Sequence, residues 1–197
     1  MANTIGITGG IGSGKSVVSS LLELSGIPVY SADTEGRRLT DTSPIIRRKL
    51  QDLFGNDIYV DGKLDRKRVA SLSFDNEMML DKLNGIIHPV VRDDFRAWVA
   101  ARNVKYCAME SAILYEAGFE KEVELVLMVY APLELRISRV MRRDGMTEAD
   151  VMRRMNSQMP DDIKRGKADF VIVNDDIQPL IPQIDQFVDY LKSYIDI

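Results

Sequence analysis

Residues 9–16 read GGIGSGKS and follow directly on a short apolar run, TIGIT, at residues 4–8. Glycine at the first and sixth positions, followed by Lys15 and Ser16, fits the phosphate-binding pattern G-x-x-x-x-G-K-[ST]. That motif requires a strand before the loop and a helix after it, and residues 17–24 have a helical pattern. Backbone N–H groups of such a loop, together with the helix dipole, bind anionic oxygens. The stretch therefore predicts a nucleoside triphosphate site.

The two polar residues that close the motif have separate chemical roles. We predict that Lys15 reaches the β and γ phosphates, and that Ser16 binds the Mg²⁺ ion that accompanies ATP. A dinucleotide-binding loop is not indicated, because its G-x-G-x-x-G spacing is not completed after Gly10 or after Gly12.

Composition limits what else the chain can be. With 197 residues, 45% of them hydrophobic, it can bury a sizeable core, and its net charge of −4 does not suit a nucleic-acid-binding polycation. The single cysteine, Cys107, fits a reducing cytosol, and we expect it to be a small buried residue in a strand. The longest apolar run, around residues 125–131, is too short to span a bilayer. We expect a cytoplasmic protein that binds neither nucleic acid nor membranes, and no pattern indicates an obligate protein partner.

Apolar strands alternate with amphipathic helical segments along the chain, which predicts an α/β fold with a five-stranded parallel sheet flanked by helices. The predicted strands are residues 3–8, 27–30, 104–110, 123–130 and 169–173. About seventy residues separate the second strand from the third, many more than a plain crossover needs. We therefore predict a helical insert with a turn-rich loop at GNDIYVDGK. The predicted divisions are an ATP-binding core (1–33, 103–138 and 169–197), an acceptor-binding insert (34–102) and a lid (139–168).

A triphosphate-binding loop is compatible with several classes of protein. A GTPase switch would need the guanine-selective N-K-x-D, which the sequence lacks, and its D-x-x-G, at residues 33–36, follows Ser16 too closely to lie on a separate switch strand. Regulatory ATPases usually have longer chains and partner-supplied arginines. A small kinase is therefore favoured, with a nucleotide-binding regulatory ATPase kept as the alternative from another class.

Asp33 closes the segment IPVYSAD, at the carboxyl end of the second predicted strand. Open parallel sheets bind ligands beyond the carboxyl ends of their strands, so we expect this carboxylate to face the γ-phosphate. There it would orient an attacking hydroxyl group and accept its proton. The alternative is that Asp33 merely caps the helix that follows, and position alone does not separate the two roles.

Residues 136–167 contain nine basic and five acidic residues, although the whole chain is acidic. Arg136, Arg139 and Arg143 fall on one helical face, and a glycine turn, RRDGMT, follows them. Such a face is most often only solvated surface. In a phosphate-binding chain, however, it suits a lid whose cations neutralise the transferred group and whose closure excludes water.

Seven blocks resemble the dephospho-coenzyme A kinase family in order and spacing: ITGGIGSGKS, SAD, GKLDR, IIHPVV, ESAILYE, RVMRRDG and ADFVIVN. The first block is shared by many ATP-binding proteins, whereas the His88-Pro89 pair and the Leu114-Tyr115-Glu116 block are more discriminating. The resemblance implies a P-loop kinase core with a helical acceptor insert and a lid. It also implies that ATP and Mg²⁺ phosphorylate the ribose 3′-hydroxyl of dephospho-coenzyme A, with another small-molecule or nucleotide kinase as the alternative.

The same resemblance implies roles for individual residues. For catalysis they are Asp33, Lys15, Arg139 and Arg143. The implied ATP contacts are Gly10, Ile11, Gly12, Ser13, Gly14, Lys15, Ser16, Val17 and, on the adenine side, Asn174. The implied acceptor contacts are Asp33, Arg66, His88, Leu114, Tyr115 and Glu116, and the implied metal ligands are Ser16 and Glu110. Taken alone, Asn174 would more often form a turn, His88 a structural hydrogen bond and Glu110 a buried, backbone-bonded carboxylate.

The chain departs from the family pattern at a few positions. Many relatives have aspartate where this chain has Ser31, proline at Ala112, glycine at Asp176 and threonine at Val17. Asp33 must therefore act without a second carboxylate at position 31, and the other changes can alter loop shape or the adenine site. None of them removes a residue that the chemistry requires.

Overall fold

The computed structural model describes residues 2–73 and 76–195, and its chain divides into two compact units. Unit 1 comprises Met1–Tyr30 and Arg102–Ile197, and unit 2 is Ser31–Ala101. The predicted core, insert and lid stay a prediction as functional divisions. Residues 1, 74–75 and 196–197 of those ranges lie outside the described residues.

The elements alternate along the chain as the sequence indicates. The strands are β1 (Asn3–Thr8), β2 (Val29–Ser31), β3 (Tyr59–Val60), β4 (Lys63–Leu64), β5 (Tyr106–Glu110), β6 (Leu125–Tyr130) and β7 (Phe170–Val173). The helices are α1 (Lys15–Leu24), α2 (Ala32–Thr42), α3 (Pro44–Phe54), α4 (Arg66–Ser73), α5 (Glu77–Ala100), α6 (Leu133–Asp144), α7 (Glu148–Asn156), α8 (Asp161–Lys167) and α9 (Leu180–Ile195). Short 3₁₀ turns lie at Asn56–Ile58 and Phe119–Glu122.

Five strands form one sheet in the order β2-β5-β1-β6-β7, with β1 in the middle. The pairs of β1 with β5, β1 with β6 and β6 with β7 are all parallel. The predicted five-stranded parallel sheet flanked by helices is confirmed. Because β1 is central, the loop that follows it leaves the sheet between the ends of β5 and β6.

The main core of unit 1 packs α1 and α9 against the sheet. It includes Ile5 and Ile7 of β1, Leu127 and Val129 of β6, and Phe187 of α9, all at most 1% exposed. Strands buried on both faces need such continuous apolar runs, which is why β6 was clear from the sequence. Cys107 is also fully buried, as its position in a predicted strand indicated.

Unit 2 consists of α2 to α5 and one small antiparallel ribbon, β3 paired with β4. The stretch GNDIYVDGK, predicted as a turn-rich loop, contains a 3₁₀ turn and also a short hairpin, because Tyr59 and Val60 pair with Leu64 and Lys63. The two residues between the strands, Asp61 and Gly62, both have positive φ, which suits the tight turn of a hairpin.

Candidate active site

The loop after β1 has a shape that depends on glycine. Gly9 has φ +147°, and a Cβ atom there would lie 2.2 Å from the backbone oxygen of Val129. Gly14 has φ +91°, and a Cβ atom there would lie 2.1 Å from Nδ2 of Asn174. Larger residues at either position would therefore meet both backbone strain and a close contact. Glycine at these two positions therefore lets the loop lie close to β6 and to the end of β7.

Lys15 extends back along the loop that precedes it. Its Nζ atom donates to the backbone oxygen of Gly9 at 2.9 Å and lies 4.0 Å from Oε1 of Glu110. Glu110 ends β5, directly beside Ile7 of β1 in the sheet register. The structure thus brings together the two residues that the sequence predicted for the phosphates and for the metal.

Helix α1 begins at Lys15, directly after the phosphate loop. Gly14 is the N-cap, and among the described residues no side chain caps this end and no acidic residue lies in the first turn. Ser16 and Val17 are exposed there. A helix start of this kind attracts anions, since its N–H groups and dipole are not already matched by a carboxylate.

Asn174, at the end of β7, holds the phosphate loop to the sheet. Its Nδ2 donates to the backbone oxygen of Ser13 at 2.8 Å, and its own backbone oxygen accepts from Arg139 at 3.1 Å. Arg139 also pairs with Asp176 at 2.5 Å. The structure therefore assembles Asn174 and Arg139 beside the loop, and their roles toward adenine and phosphate stay predictions.

Arg143 lies one turn further along α6, in a different environment. Its guanidinium forms two hydrogen bonds with the neighbouring Asp144, at 2.7 and 2.9 Å, and its side chain is 63% exposed. These bonds raise the pKa of Arg143 and lower the pKa of Asp144. The predicted lid function of Arg143 stays a prediction.

Arg136 differs from the other two arginines of the predicted basic face. It is only 5% exposed, pairs with Asp161 and donates from Nε to the backbone oxygen of Ile11 at 2.9 Å. Burial lowers its pKa. The helical period that placed the three arginines on one face could not show which part of that face is covered, and Arg136 lies in the covered part whereas Arg143 is exposed.

The block Leu114-Tyr115-Glu116 follows β5, and its three side chains point to different surroundings. Leu114 is fully buried, and its contact with an acceptor stays a prediction. The hydroxyl of Tyr115 is buried without a hydrogen-bond partner among the described residues, and burial raises its pKa to about 12. Glu116 pairs with Lys164 at 3.0 Å and accepts from the backbone N–H of Met159 at 2.7 Å.

Asp33 belongs to unit 2 and is exposed. The structure excludes the alternative that it caps a helix, because α2 begins at Ala32 and its N-cap is Ser31, whose hydroxyl accepts from the backbone N–H of Thr34. Asp33 lies inside the first turn instead. Ser31, at the position where many relatives have aspartate, is thus the N-cap of α2, and the side chain of Asp33 is not used for capping.

Two further predicted acceptor residues also lie in unit 2. Arg66 donates to the backbone oxygen of Arg37 and to the side chains of Thr40 and Asp41, at 2.9 to 3.0 Å, so its geometry is fixed within the unit. His88 lies in α5 just before Pro89, and burial, aided by the charge of Arg92, lowers its pKa. A neutral imidazole at neutral pH follows. Contact of either residue with an acceptor stays a prediction.

The sequence did not single out Gln158, whose Oε1 accepts from the backbone N–H of Ile11 at 3.0 Å. No spacing or composition signal marks this contact, because its partner is a backbone atom 147 residues away.

Three features define this site: the phosphate loop, the start of α1 without a side-chain cap, and Lys15 beside the carboxylate of Glu110 on the neighbouring strand β5. They define a P-loop phosphotransferase of the small-kinase type. A sequence model of the dephospho-CoA kinase family matches residues 3–179, and the chain belongs to that family. The recognised resemblance is therefore confirmed.

Individual relatives agree with this family membership. A curated Bacteroides fragilis protein named dephospho-CoA kinase is 48% identical over 99% of this chain and 96% of its own length. A crystal structure from Thermus thermophilus is 32% identical with a TM-score of 0.84, and a Campylobacter jejuni dephospho-CoA kinase structure is 25% identical with a TM-score of 0.68. Each alignment with these two structures covers 98% of both chains. In the part of the chain that the structure describes, no helix combines the length and the apolar character that a membrane crossing requires.

Proposed function

We propose that this chain transfers the γ-phosphoryl group of ATP to the ribose 3′-hydroxyl of dephospho-coenzyme A, which completes coenzyme A and releases ADP. The observation that carries the proposal is the phosphate loop with Lys15 and Glu110 at its side, in a chain that belongs to the dephospho-CoA kinase family. We place the reaction in the cytoplasm, in agreement with the single, buried cysteine.

In the proposed step the 3′-oxygen attacks the γ-phosphorus, and the bond from that phosphorus to the β,γ-bridging oxygen breaks. Asp33 orients the hydroxyl and takes its proton, while Lys15, Arg139 and Arg143 stabilise the charge on the transferred group. The assignment of Asp33 to this chemistry is supported by its exposure and by the fact that Ser31 does the capping. Arg66 and His88 are proposed to contact the acceptor.

Mg²⁺ fits the residues that the resemblance assigned to it. The hydroxyl of Ser16 and the carboxylate of Glu110 are oxygen ligands, which this hard cation prefers. The described residues contain no group of three or more histidine, cysteine or acidic side chains that could hold a metal alone. That agrees with an ion held by one or two protein oxygens together with phosphate and water. When bound, the ion neutralises charge that develops on the phosphates.

The test is to incubate the purified protein with Mg-ATP and dephospho-coenzyme A, with AMP, CMP and shikimate as rival acceptors, and to follow products by mass. We expect one phosphate to be added to dephospho-coenzyme A alone, at the ribose 3′ position. Transfer to a rival acceptor would make the chain a different small-molecule kinase. ATP binding without any transfer would overturn the proposal in favour of a regulatory ATPase.

A further inference from the structure

Ile11, in the middle of the phosphate loop, is held in place through its backbone N–H, its backbone oxygen and its side chain. Its backbone N–H donates to Oε1 of Gln158 at 3.0 Å, and its backbone oxygen accepts from Nε of Arg136 at 2.9 Å. Its side chain packs against a small buried cluster that includes Val140 of α6 and Val151 of α7. The two peptide groups of the loop that meet at this residue are thus fixed by Arg136 of α6 and by Gln158, which lies between α7 and α8.

The loop sequence also fits this contact closely. A Cβ atom at Gly10 would lie 2.2 Å from the guanidinium of Arg136, and a Cβ atom at Gly12 would lie 2.6 Å from the backbone oxygen of Arg136. The glycines on both sides of Ile11 therefore allow α6 to approach the loop backbone. Ordinary residues there would push the loop and the helix apart.

Arg136 and Gln158 are themselves held by a chain of polar contacts. Arg136 pairs with Asp161, in the first turn of α8. One helical turn later, Lys164 is fully buried and pairs with Glu116 at 3.0 Å. The same carboxylate oxygen of Glu116 accepts from the backbone N–H of Met159 at 2.7 Å, next to Gln158.

Together with the backbone of residues 158–164, these contacts form a closed network. It runs from Ile11 through Gln158, Met159, Glu116, Lys164, Asp161 and Arg136 back to Ile11. Arg136 and Lys164 are the buried members of this network, and buried charged groups are stable only when each has its partner, so the network favours one arrangement of the loop and of the segment 158–164. The backbone N–H groups of a phosphate loop bind ATP only when they point inward together. A residue that fixes one of the loop's peptide groups therefore acts on phosphate binding without touching the phosphate.

We propose that Gln158 is a positioning residue for ATP, which acts through the Ile11 peptide and, with Arg136, sets the conformation of the phosphate loop. This inference rests on the proposed function only in that ATP is the ligand. It predicts that the affinity for ATP depends on the Gln158 contact, whereas the affinity for the acceptor does not.

The decisive variant is Gln158→Met, which keeps the length of the side chain and removes the acceptor oxygen. Loss of one partly buried hydrogen bond is worth about a fivefold change in an equilibrium constant, and up to about tenfold. We expect the KM for Mg-ATP, and the Kd for ATP measured by calorimetry without acceptor, to rise by about that factor. The KM for dephospho-coenzyme A should stay within about twofold of wild type, because Gln158 acts on the loop alone.

Two further variants separate positioning from general stability. Arg136→Lys keeps a cation beside Asp161 but lacks the Nε donor to Ile11, so it should show the same ATP-specific change. Thr147→Ala removes the N-cap of α7, in the same helical segment but away from the loop, and should lower stability with both KM values unchanged.

The inference is overturned if Gln158→Met retains the wild-type Kd for ATP and only loses folded protein, since that outcome makes Gln158 a structural residue. It is equally overturned if Thr147→Ala raises the Kd for ATP as much as Gln158→Met does. Failure of the proposed function would look different, because wild type would then bind ATP without phosphorylating dephospho-coenzyme A. The calorimetric comparison would still decide the role of Gln158.

Discussion

Two helices of this chain begin just beyond strands of the same sheet, and they begin in opposite ways. Helix α1 follows Gly14, receives no side-chain cap from the residues that the structure describes, and carries no acidic residue in its first turn. Helix α2 is capped by the hydroxyl of Ser31 and carries Asp33 and Glu35 in its first turn. The first helix start is therefore open to an anion, whereas the second already has its own acceptors.

The difference fits the two different roles proposed for these helix starts. A carboxylate or hydroxyl at the start of α1 would compete with phosphate oxygens for the same N–H groups. At α2 the capping hydroxyl comes from Ser31, so the carboxylates of Asp33 and Glu35 in the first turn do not serve as the N-cap. Asp33 is thus held as an exposed carboxylate in a well-defined helical turn, which suits the orientation of a hydroxyl group.

The largest expected effect comes from the α2 end. Asp33→Asn should lower kcat by at least about 100-fold, because a general base contributes 10²-fold to 10⁴-fold. The Kd for ATP and the urea midpoint should change little, because Ser31 does the capping. Steady-state kinetics, calorimetry and urea denaturation check these expectations.

The matched control for that variant is Glu35→Gln, in the same helical turn, where the side chain pairs with Arg38. It removes a carboxylate from the same dipole but not from the proposed chemistry, so turnover should stay near wild type. Equal losses in the two variants would mean that the charge at the helix end matters, and not the Asp33 carboxylate itself.

The next largest effect tests the α1 end. Gly14→Ala should raise the Kd for ATP by about tenfold, because the new Cβ would lie 2.1 Å from Nδ2 of Asn174 and would disturb the loop. Gly26→Ala is the control, since Gly26 has a similar φ of +84° but a new Cβ there would have no atom of the described part of the chain within 4 Å. It should cost about 1 kcal/mol of unfolding free energy from strain alone, with normal ATP binding. A tighter or unchanged Kd in Gly14→Ala would contradict the steric argument.

Much of this comparison could be predicted from sequence, because it depends on local patterns. The phosphate loop, the five strands and the position of Asp33 after β2 follow from motif spacing and apolar runs, which act over short distances along the chain. The N-cap at Ser31 was missed because a serine and an aspartate two residues later are both good caps, and only the backbone shows which of them starts the helix.

The contacts around the loop could not be predicted for a different reason. Arg136, Gln158 and Asn174 reach the loop from 125 to 161 residues away, and all three bind backbone atoms that have no sequence signature. Likewise, the helical period put Arg136 and Arg143 on one face, yet one is buried and the other exposed. Which part of a helix face is covered depends on tertiary packing.

A smaller effect is expected when the cap itself is removed. Ser31→Ala should lower the unfolding free energy by about 0.5 to 1 kcal/mol, the lower part of the range for an N-cap, because its hydrogen bond to Thr34 is long at 3.5 Å. The kcat should fall far less than in Asp33→Asn. Urea denaturation measures the first quantity, with Ser43→Ala, the cap of α3, as the control for a cap elsewhere in the unit. A large fall in kcat would mean that Ser31 also takes part in the chemistry.

The smallest effect concerns Asp176. It pairs with Arg139, which donates to Asn174, and Asn174 in turn binds the phosphate loop just before α1. Asp176 has φ +64°, a left-handed conformation that glycine adopts without strain and aspartate tolerates. Its ion pair with Arg139 is 63% exposed on the aspartate side, so screening limits its contribution to at most about 1 kcal/mol. In Asp176→Gly the lost pair and the relieved backbone oppose each other, and the unfolding free energy should change by less than about 0.5 kcal/mol.

Asp176→Ala separates these two opposing contributions. It also loses the ion pair but keeps a Cβ atom at a positive φ, so it should be less stable than Asp176→Gly by about 1 kcal/mol. In 1 M NaCl the unfolding free energy of Asp176→Gly should rise relative to that of wild type. Salt weakens the exposed ion pair, which only wild type has, but leaves the backbone strain unchanged. If Asp176→Gly were instead destabilised by more than about 2 kcal/mol, the pair with Arg139 would have to be worth more than a surface ion pair. In that case Asp176, through Arg139 and Asn174, would help to fix the phosphate loop before α1. The conformation of that helix start would then depend on a side-chain ion pair as well as on the glycines of the loop.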